Sequence, residues 1–303
     1  MHDHRGDGAA NQRRLMLALA LAASYMVAEV IGGLWTGSLA LLADAGHMLS
    51  DVFALAMSAV AIRIAQRPPT ASRTYGYYRS EILAALGHGI LLVCVSLAIF
   101  WEAWERIGQV REIMAGPMLV VATGGLVVNL IGLAILSHGK HENLNVRGAW
   151  LHVLSDALGS LGAMAAGFAI WAWGWSWADT AASITIGLLV IHSSWALLRE
   201  ALDILMEAAP AHIDVPAIHR EIASLPGVEA VHDLHIWTIT SGLVALSGHV
   251  VAADDQAHGP LLQLICDHLH DHLGIDHTTI QVEASDFEEP GSVCADASAL
   301  ATR

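Results

Sequence analysis

Two pairs of histidine and aspartate with the same spacing could hold a metal ion. His47 and Asp51 lie four residues apart in one apolar stretch, and His152 and Asp156 repeat that spacing in another. Side chains at i and i+4 share one helix face. Because an ionisable group inside hydrocarbon is costly, each pair needs a partner or a function. Two such faces opposed across a helix bundle would present two imidazoles and two carboxylates, a set suited to tetrahedral Zn²⁺.

A simpler interpretation is that each pair is a salt bridge between a protonated histidine and a carboxylate within its own helix. The repeated spacing favours the metal site. Asp44 lies one turn before His47, and the sequence leaves open cation access, proton transfer or a structural hydrogen bond for it. Four lone polar residues in other apolar stretches are expected to make contacts between helices: Glu29, His88, Asn129 and His192.

Six apolar stretches are long enough to cross a bilayer as helices. They run over Leu15–Trp35, Leu39–Ile62, Ile82–Trp101, Ile113–Leu136, Ala149–Trp171 and Ala178–Leu198. Ten basic residues flank these stretches on one side, and only Arg106 and Arg111 lie on the other. The positive-inside rule therefore predicts both termini in the cytoplasm, with residues 1–13 as a cytoplasmic tail and 14–201 as a transmembrane domain.

Acidic residues are concentrated in the last third of the chain. Residues 201–303 hold 16 Asp and Glu against two Arg, which gives −14 of the overall −15, and 10 of the 18 histidines. A nucleic-acid partner is excluded, because no cluster of Lys and Arg could replace phosphate counterions. An acidic domain of this kind would instead raise the local concentration of cations.

This last third reads as a small α+β domain in the order α-β-β-α-β. Its elements are a helix over Asp214–Leu225 with Asp214 as cap, strands over Val228–Thr240 and Leu243–Ala252, a helix over His258–Leu273 and a strand over His277–Glu283. Ser241 and Gly242 form a turn between the first two strands. We place the domain at 207–284 and a flexible tail at 285–303.

Four motifs in this order resemble the cation diffusion facilitators, and in particular their zinc-transporting branch. The motifs are Ser38–Asp51, Tyr75–Glu81, His152–Asp156 and His232–Trp237. The resemblance spans about residues 14–284. It implies a homodimer with six transmembrane helices and a ferredoxin-like cytoplasmic domain per protomer. The expected activity is export of a divalent metal in exchange for protons, and the expected location is the bacterial inner membrane.

The resemblance also implies roles for individual residues. It places His47, Asp51, His152 and Asp156 in the transport site. Family members that handle manganese or iron tend to have Asp in place of His47, so the site here is expected to take Zn²⁺ or Cd²⁺. Regulatory zinc in the cytoplasmic domain would bind at positions that carry His232, His249 and Glu283 in this chain, with His277 beside a further such position. Arg79 and Glu207 form either a charge interlock between membrane and cytoplasmic parts or a solvated surface pair.

The main alternative is a broader exporter that also carries Co²⁺ or Ni²⁺. An intramembrane zinc enzyme is a less favoured alternative, because four protein ligands leave no open position for a catalytic water. The sequence also contains no HExxH, GxSxG or phosphate-binding loop. A metal sensor with passive membrane anchors is disfavoured, since an anchor has no use for buried ligands. The chain is thus expected to be a transporter and not an enzyme, with Zn²⁺ as substrate and as regulatory ligand.

Overall fold

The computed structural model describes residues 4–109, 112–137, 144–240, 242–253, 258–275 and 277–287. Some predicted features lie outside these residues. They are residues 1–3 of the N-terminal tail, Arg111, Lys140, Ser241 and residues 288–303 of the C-terminal tail.

Six long helices correspond one to one with the predicted apolar stretches. They are α1 His4–Thr36, α2 Leu39–Ala65, α3 Ser80–Arg106, α4 Ala115–Ser137, α5 Leu144–Trp173 and α6 Trp177–Leu205. Most are longer than predicted, because hydropathy marks only the part of a helix that lies in hydrocarbon. The largest difference is in α1, which begins at His4, so residues 4–13 of the predicted tail are helical.

Five of the six helices have described segments long and apolar enough to cross a membrane. These segments are Met16–Thr36, Ser80–Arg106, Ala115–Ser137, Trp150–Trp173 and Trp177–Leu205. The sixth helix, α2, has 27 residues and thus a length of about 40 Å. It carries the intramembrane polar residues Asp44, His47 and Asp51.

The start of α2 is fixed by a carboxylate from another helix. Asp179, in the first turn of α6, is fully buried and accepts hydrogen bonds from the backbone N–H groups of Leu39 (2.7 Å) and Ala40 (3.1 Å). The Ser38 hydroxyl also donates to Asp179, at 2.6 Å, and Arg106 lies 3.4 Å from it. Because the first N–H groups of a helix have no partner within the helix, Asp179 acts as the cap of α2. It therefore sets the position of α2 five residues before Asp44.

Small residues let α4 pack closely against α1 and α5. A side-chain carbon at Gly125 would lie 2.6 Å from Glu29 Oε1 and 3.0 Å from Ser160 Oγ. Tyr25 of α1 donates a hydrogen bond to the backbone carbonyl of Val121 in α4. Such close approach is typical of helix contacts inside membranes.

The chain forms two compact units. One consists of Met1–Ala59 and Ala85–Leu198, and the other of Val60–Ala84 and Arg199–Arg303. The second unit thus includes the end of α2, the following loop and the start of α3, in addition to the predicted 207–284 domain.

The C-terminal part of the second unit has the predicted order of elements. These are α7 Val215–Ala223, β1 Val228–Thr240, β2 Leu243–Ala252, α8 His258–Leu273 and β3 His277–Glu283. Asp214 caps α7 by accepting from Ala217 N at 3.1 Å, as expected. The sheet order is β1-β2-β3, with β1 and β2 antiparallel and β2 and β3 parallel. The α+β prediction is confirmed.

The helices α7 and α8 cover one face of this sheet. Their residues Ile222 and Ile265 pack with Leu246 and Val250 of β2 in one buried core. Because side chains alternate along a strand, His249 lies on the opposite face of the sheet. His232 of β1 pairs directly with His249, and His249 pairs with Gln281 of β3.

Candidate metal centres

The two His-x-x-x-Asp pairs meet between α2 and α5. One ligand atom from each of His47, Asp51, His152 and Asp156 can be chosen so that all four lie within 4.8 Å of one another. We call this group the four-ligand cluster. It is brought together as predicted, with Asp156 buried, His47 and Asp51 partly buried, and His152 about half exposed.

Contacts between the two helices are as short as contacts within them. The distance from His152 Nε2 to Asp51 Oδ2 is 3.4 Å, whereas Nε2 of His152 lies 3.7 Å from Asp156 Oδ2 in its own helix. His47 Nε2 is 3.7 Å from Asp156 and 3.8 Å from Asp51. If each pair formed only a salt bridge within its own helix, the distances between the helices would not be this short. The side chains surround one common point instead.

The spacing suits a bound cation better than a hydrogen-bonded network. Nitrogen and oxygen ligands of tetrahedral Zn²⁺ lie about 2.0–2.2 Å from the metal, so neighbouring ligand atoms are separated by about 3.3–3.6 Å. The imidazole to carboxylate distances of 3.4–3.8 Å approach these values and exceed ordinary hydrogen-bond lengths. Asp51 Oδ2 and Asp156 Oδ1 are buried, and neither has a hydrogen-bond partner among the described residues. Buried carboxylate oxygens in that state are suited to a metal.

Asp44 lies beside this cluster but is not part of it. Its carboxylate is 2% exposed and accepts a hydrogen bond of 3.1 Å from Ser160, to which Asn129 donates at 3.3 Å. The predicted interhelical contact of Asn129 is therefore present, and Asp44 has the structural hydrogen bond that was one of its three options. Glu29 is also buried, and its Oε2 has no hydrogen-bond partner among the described residues.

The other two lone histidines differ from each other. His88 of α3 lies 3.8 Å from Asp51, at the edge of the four-ligand cluster. His192 of α6 has an exposed side chain. Both histidines were predicted to make contacts between helices. The spacing of a single histidine does not indicate which residues its side chain contacts.

A second group of possible ligands lies on the open face of the β-sheet. His232 Nε2 is 3.0 Å from Glu283 Oε2, and His249 Nδ1 is 2.9 Å from Glu283 Oε1. The two imidazole rings are 5.1 Å apart, and Glu283 is 5% exposed. We call His232, His249 and Glu283 the sheet cluster. The structure brings together these three of the four residues expected for a cytoplasmic site.

The fourth, His277, does not join the sheet cluster. It pairs with Ala245 at the other end of β3, four positions from Gln281 and thus roughly 13 Å from it along the strand. Its ring contacts Tyr75 instead, at 5.5 Å. Strand parity put His277 on the correct face, but parity alone does not limit the distance along the strand.

Asp233 is a residue that sequence analysis missed. It lies in a bulge of β1 with a φ of 48°, and its Oδ2 is 3.9 Å from His249 Nε2. Its other oxygen is 3.0 Å from His235. Strand alternation would put Asp233 on the helix side of the sheet, so only the bulge reveals this contact.

Arg79 and Glu207 form an ion pair of 2.8 Å within the second compact unit, with 39% and 62% of their side chains exposed. Two residues later, Glu81 accepts a hydrogen bond of 2.7 Å from Thr240. The start of α3 is thus tied to the segment after α6 and to the end of β1. The predicted pairing is present, and its exposure limits its contribution to stability.

Comparison with known families matches nearly the whole length of the chain. Residues 15–206 match the cation efflux transmembrane domain, and residues 210–285 match the cytoplasmic domain of cation efflux proteins. The chain belongs to the cation efflux family. It is therefore an integral membrane transport protein, and the prediction that it is not an enzyme is confirmed by its family.

Several relatives match most of this chain and most of their own length. The metal cation efflux system protein CzcD of Cupriavidus metallidurans is 44% identical over 95% of this chain and 90% of its own. Zinc transporter ZitB of Escherichia coli is 42% identical over 90% of this chain and 88% of its own. The cadmium, cobalt and zinc/H(+)-K(+) antiporter of Bacillus subtilis is 43% identical over 92% of this chain and 91% of its own.

Among the solved structures that match this cation efflux protein is one of a separate domain. It is the metal-bound C-terminal domain of the CzcD transporter from Cupriavidus metallidurans, 38% identical, covering 23% of this chain and 99% of that domain with a TM-score of 0.22.

Proposed function

We propose that this protein exports Zn²⁺, and also Cd²⁺, from the cytoplasm in exchange for protons, with the four-ligand cluster as the transport site. The observation that carries the proposal is the convergence of Asp51 and His152 from two helices, at 3.4 Å, with Asp156 and His47 around the same point. Relatives named as a zinc transporter and as a proton-linked antiporter for cadmium, cobalt and zinc support it.

Exchange with protons follows from the chemistry of the ligands. A metal binds neutral imidazole and ionised carboxylate, so protons and the cation compete for the same atoms. Histidine changes its protonation near neutral pH, which makes this competition effective under physiological conditions. Loading of the cation would release protons on one side of the membrane, and return of protons would release the cation on the other.

The orientation belongs to the proposal as well. The excess of basic residues on one side supports an orientation with both termini in the cytoplasm, and we propose the bacterial inner membrane as the location. The acidic domain then lies on the side from which the cation is taken up. We further propose a homodimer in which the sheet cluster binds regulatory Zn²⁺. Neutralisation of an acidic surface by metal would favour contact between two such domains.

Zinc flux in proteoliposomes tests the transport function. We expect flux that rises with an imposed pH gradient and is lost in His47→Asn, while the matched variant His192→Asn transports at the wild-type rate. Flux that ignores the pH gradient would contradict proton exchange. Normal flux in His47→Asn would contradict the assignment of the site.

The range of cations is a separate question. Two imidazoles in the site suit borderline metals such as Zn²⁺, Co²⁺ and Ni²⁺ and are poorly suited to Mg²⁺ or Ca²⁺. The Bacillus subtilis relative includes cobalt in its name. Flux of Co²⁺ and Ni²⁺ in the same proteoliposomes distinguishes a narrow zinc and cadmium exporter from a broader one.

A further inference from the structure

His88 occupies a place that the four-ligand cluster does not require. It comes from α3, whereas the four ligands come from α2 and α5. Its Nε2 is buried, lacks a hydrogen-bond partner among the described residues, and lies 3.8 Å from Asp51 Oδ1. That distance is too long for a hydrogen bond and is close to the separation of two ligands on one metal ion.

The two carboxylate oxygens of Asp51 face different histidines. Oδ2 faces His152 at 3.4 Å and His47 at 3.8 Å, and Oδ1 faces His88. His88 itself is outside the set of atoms that lie within 4.8 Å of one another. One ion therefore does not bind all five residues at once, but an ion on Oδ1 needs only a short shift to reach Oδ2.

The packing of α3 holds His88 close to its neighbours. A side-chain carbon at Gly87 would lie 3.2 Å from Met57 Cε of α2, and one at Gly89 would lie 2.8 Å from Leu198 Cδ2 of α6. Glycines on both sides thus allow α3 to approach α2 and α6 closely at this level. The imidazole is held beside Asp51, with 17% of its side chain exposed.

We propose that His88 Nε2 and Asp51 Oδ1 form a loading position, completed by water, through which the cation passes on its way to and from the four-ligand cluster. This inference rests on the proposed transport function and adds a residue to it. An imidazole at this position selects for borderline divalent metals before they reach the transport site. The carboxylate of Asp51, shared by both positions, lets the ion exchange one oxygen for the other without full release.

The test measures zinc binding to full-length protein in lipid nanodiscs, in a Glu283→Gln background that removes the signal of the sheet cluster. Association rates come from stopped-flow mixing with Zn²⁺, and affinities from competition with a chelator. We expect His88→Asn to slow association about tenfold, the lower end of the effect of residues next to metal ligands. The dissociation constant should stay within threefold of wild type (~0.7 kcal/mol), so release should slow to a similar extent.

His88→Gln is a second variant in case the first does not fold, and His192→Asn is the matched control with wild-type rates expected. A wild-type association rate in folded His88→Asn or His88→Gln would overturn the loading position. A loss of affinity as large as that of His47→Asn would also overturn it, because His88 would then belong to the transport site itself. The transport proposal fails separately, if His47→Asn keeps wild-type affinity.

Discussion

Asp51 Oδ2 lies 3.4 Å from His152 Nε2, closer than either carboxylate of the four-ligand cluster lies to the histidine of its own helix. Two helices that carry the same His-x-x-x-Asp spacing therefore share their ligands across the contact between them. A relative movement of α2 and α5 would separate the ligands. If the cluster is the transport site, as proposed, binding of the cation is coupled in this way to the arrangement of the helices.

Removal of one ligand should strongly weaken zinc binding at this cluster. We expect His152→Asn to weaken zinc affinity by more than about 100-fold, because neighbours of metal ligands already contribute 10–100-fold. Calorimetric titration of the full-length protein measures this. His192→Asn removes an imidazole from another transmembrane helix and should leave the affinity unchanged. Equal affinities of the two variants would exclude His152 as a ligand.

The sheet cluster should bind its own zinc ion. We expect Glu283→Gln to lower the zinc content of the full-length protein by one ion per chain, because Glu283 contacts both His232 and His249. Zinc flux should continue in this variant, but it should no longer depend on zinc bound at the sheet cluster. His277→Asn serves as the control, since His277 is at the far end of β3 and should not change the zinc content. Loss of zinc in the control variant would show that the site extends along the strand, or that the partner protomer supplies this residue.

The capping carboxylate of α2 should be important for stability. Asp179→Ala leaves two N–H groups of α2 without their partner, whereas Arg106 keeps its contacts with Glu102 and with the carbonyl of Gly37. We expect a loss of about 1–3 kcal/mol for each buried N–H group that is left unpaired. Asp203→Ala removes a carboxylate 4.0 Å from Arg199 on the surface, where we expect a change of less than about 1 kcal/mol. Thermal unfolding in detergent compares the two. A similar shift of the melting temperature in both would contradict the capping role.

Close packing between α1 and α4 gives a further prediction. A methyl group at Gly125 would collide with Glu29 and Ser160, so Gly125→Ala should destabilise the protein by about 1–3 kcal/mol. Gly162→Ala in α5 meets no atom within 4 Å and should be neutral or slightly stabilising, because alanine favours helices. The same unfolding assay measures both variants. Equal stabilities would mean that α4 is not held as closely as described.

The exposed ion pair should affect transport more than stability. Reversal of charge in Arg79→Glu should slow zinc flux if the pair transmits movement between the start of α3 and the segment after α6. The double variant Arg79→Glu, Glu207→Arg should restore the flux, since the 2.8 Å contact can form with exchanged charges. Unfolding temperatures should change little in both variants, because exposed pairs contribute about 0–1 kcal/mol. Unaltered flux in Arg79→Glu would mean that Arg79 and Glu207 are a solvated surface pair with no role in transport.

Local patterns were sufficient to predict much of this protein. The i,i+4 spacing placed His47 with Asp51 and His152 with Asp156 on single helix faces, and the structure brings the two faces together. Hydropathy located six helices, and strand alternation with a turn gave β1 and β2 with correct bounds. In each case the signal lies within one element.

Features that depend on contacts between elements were not predictable. Asp179 looks like an ordinary acidic residue in the first turn of a helix, and only the packing of α6 against the start of α2 makes it a cap. His88 has no spacing partner in α3, and its neighbour Asp51 comes from another helix. The separation of His277 from Glu283, by contrast, follows from their six-residue spacing in one strand and could have been predicted from the sequence.

X-ray absorption spectroscopy of zinc tests the central claim most directly. Full-length protein with Glu283→Gln, loaded with one Zn²⁺ per protomer, should show two imidazole nitrogens and two carboxylate oxygens about 2.0–2.2 Å from the metal. His152→Asn should lose this spectrum together with the bound zinc, while His88→Asn should keep it. Zinc bound with an unchanged spectrum in His152→Asn would contradict the account, because the transported cation would then bind elsewhere.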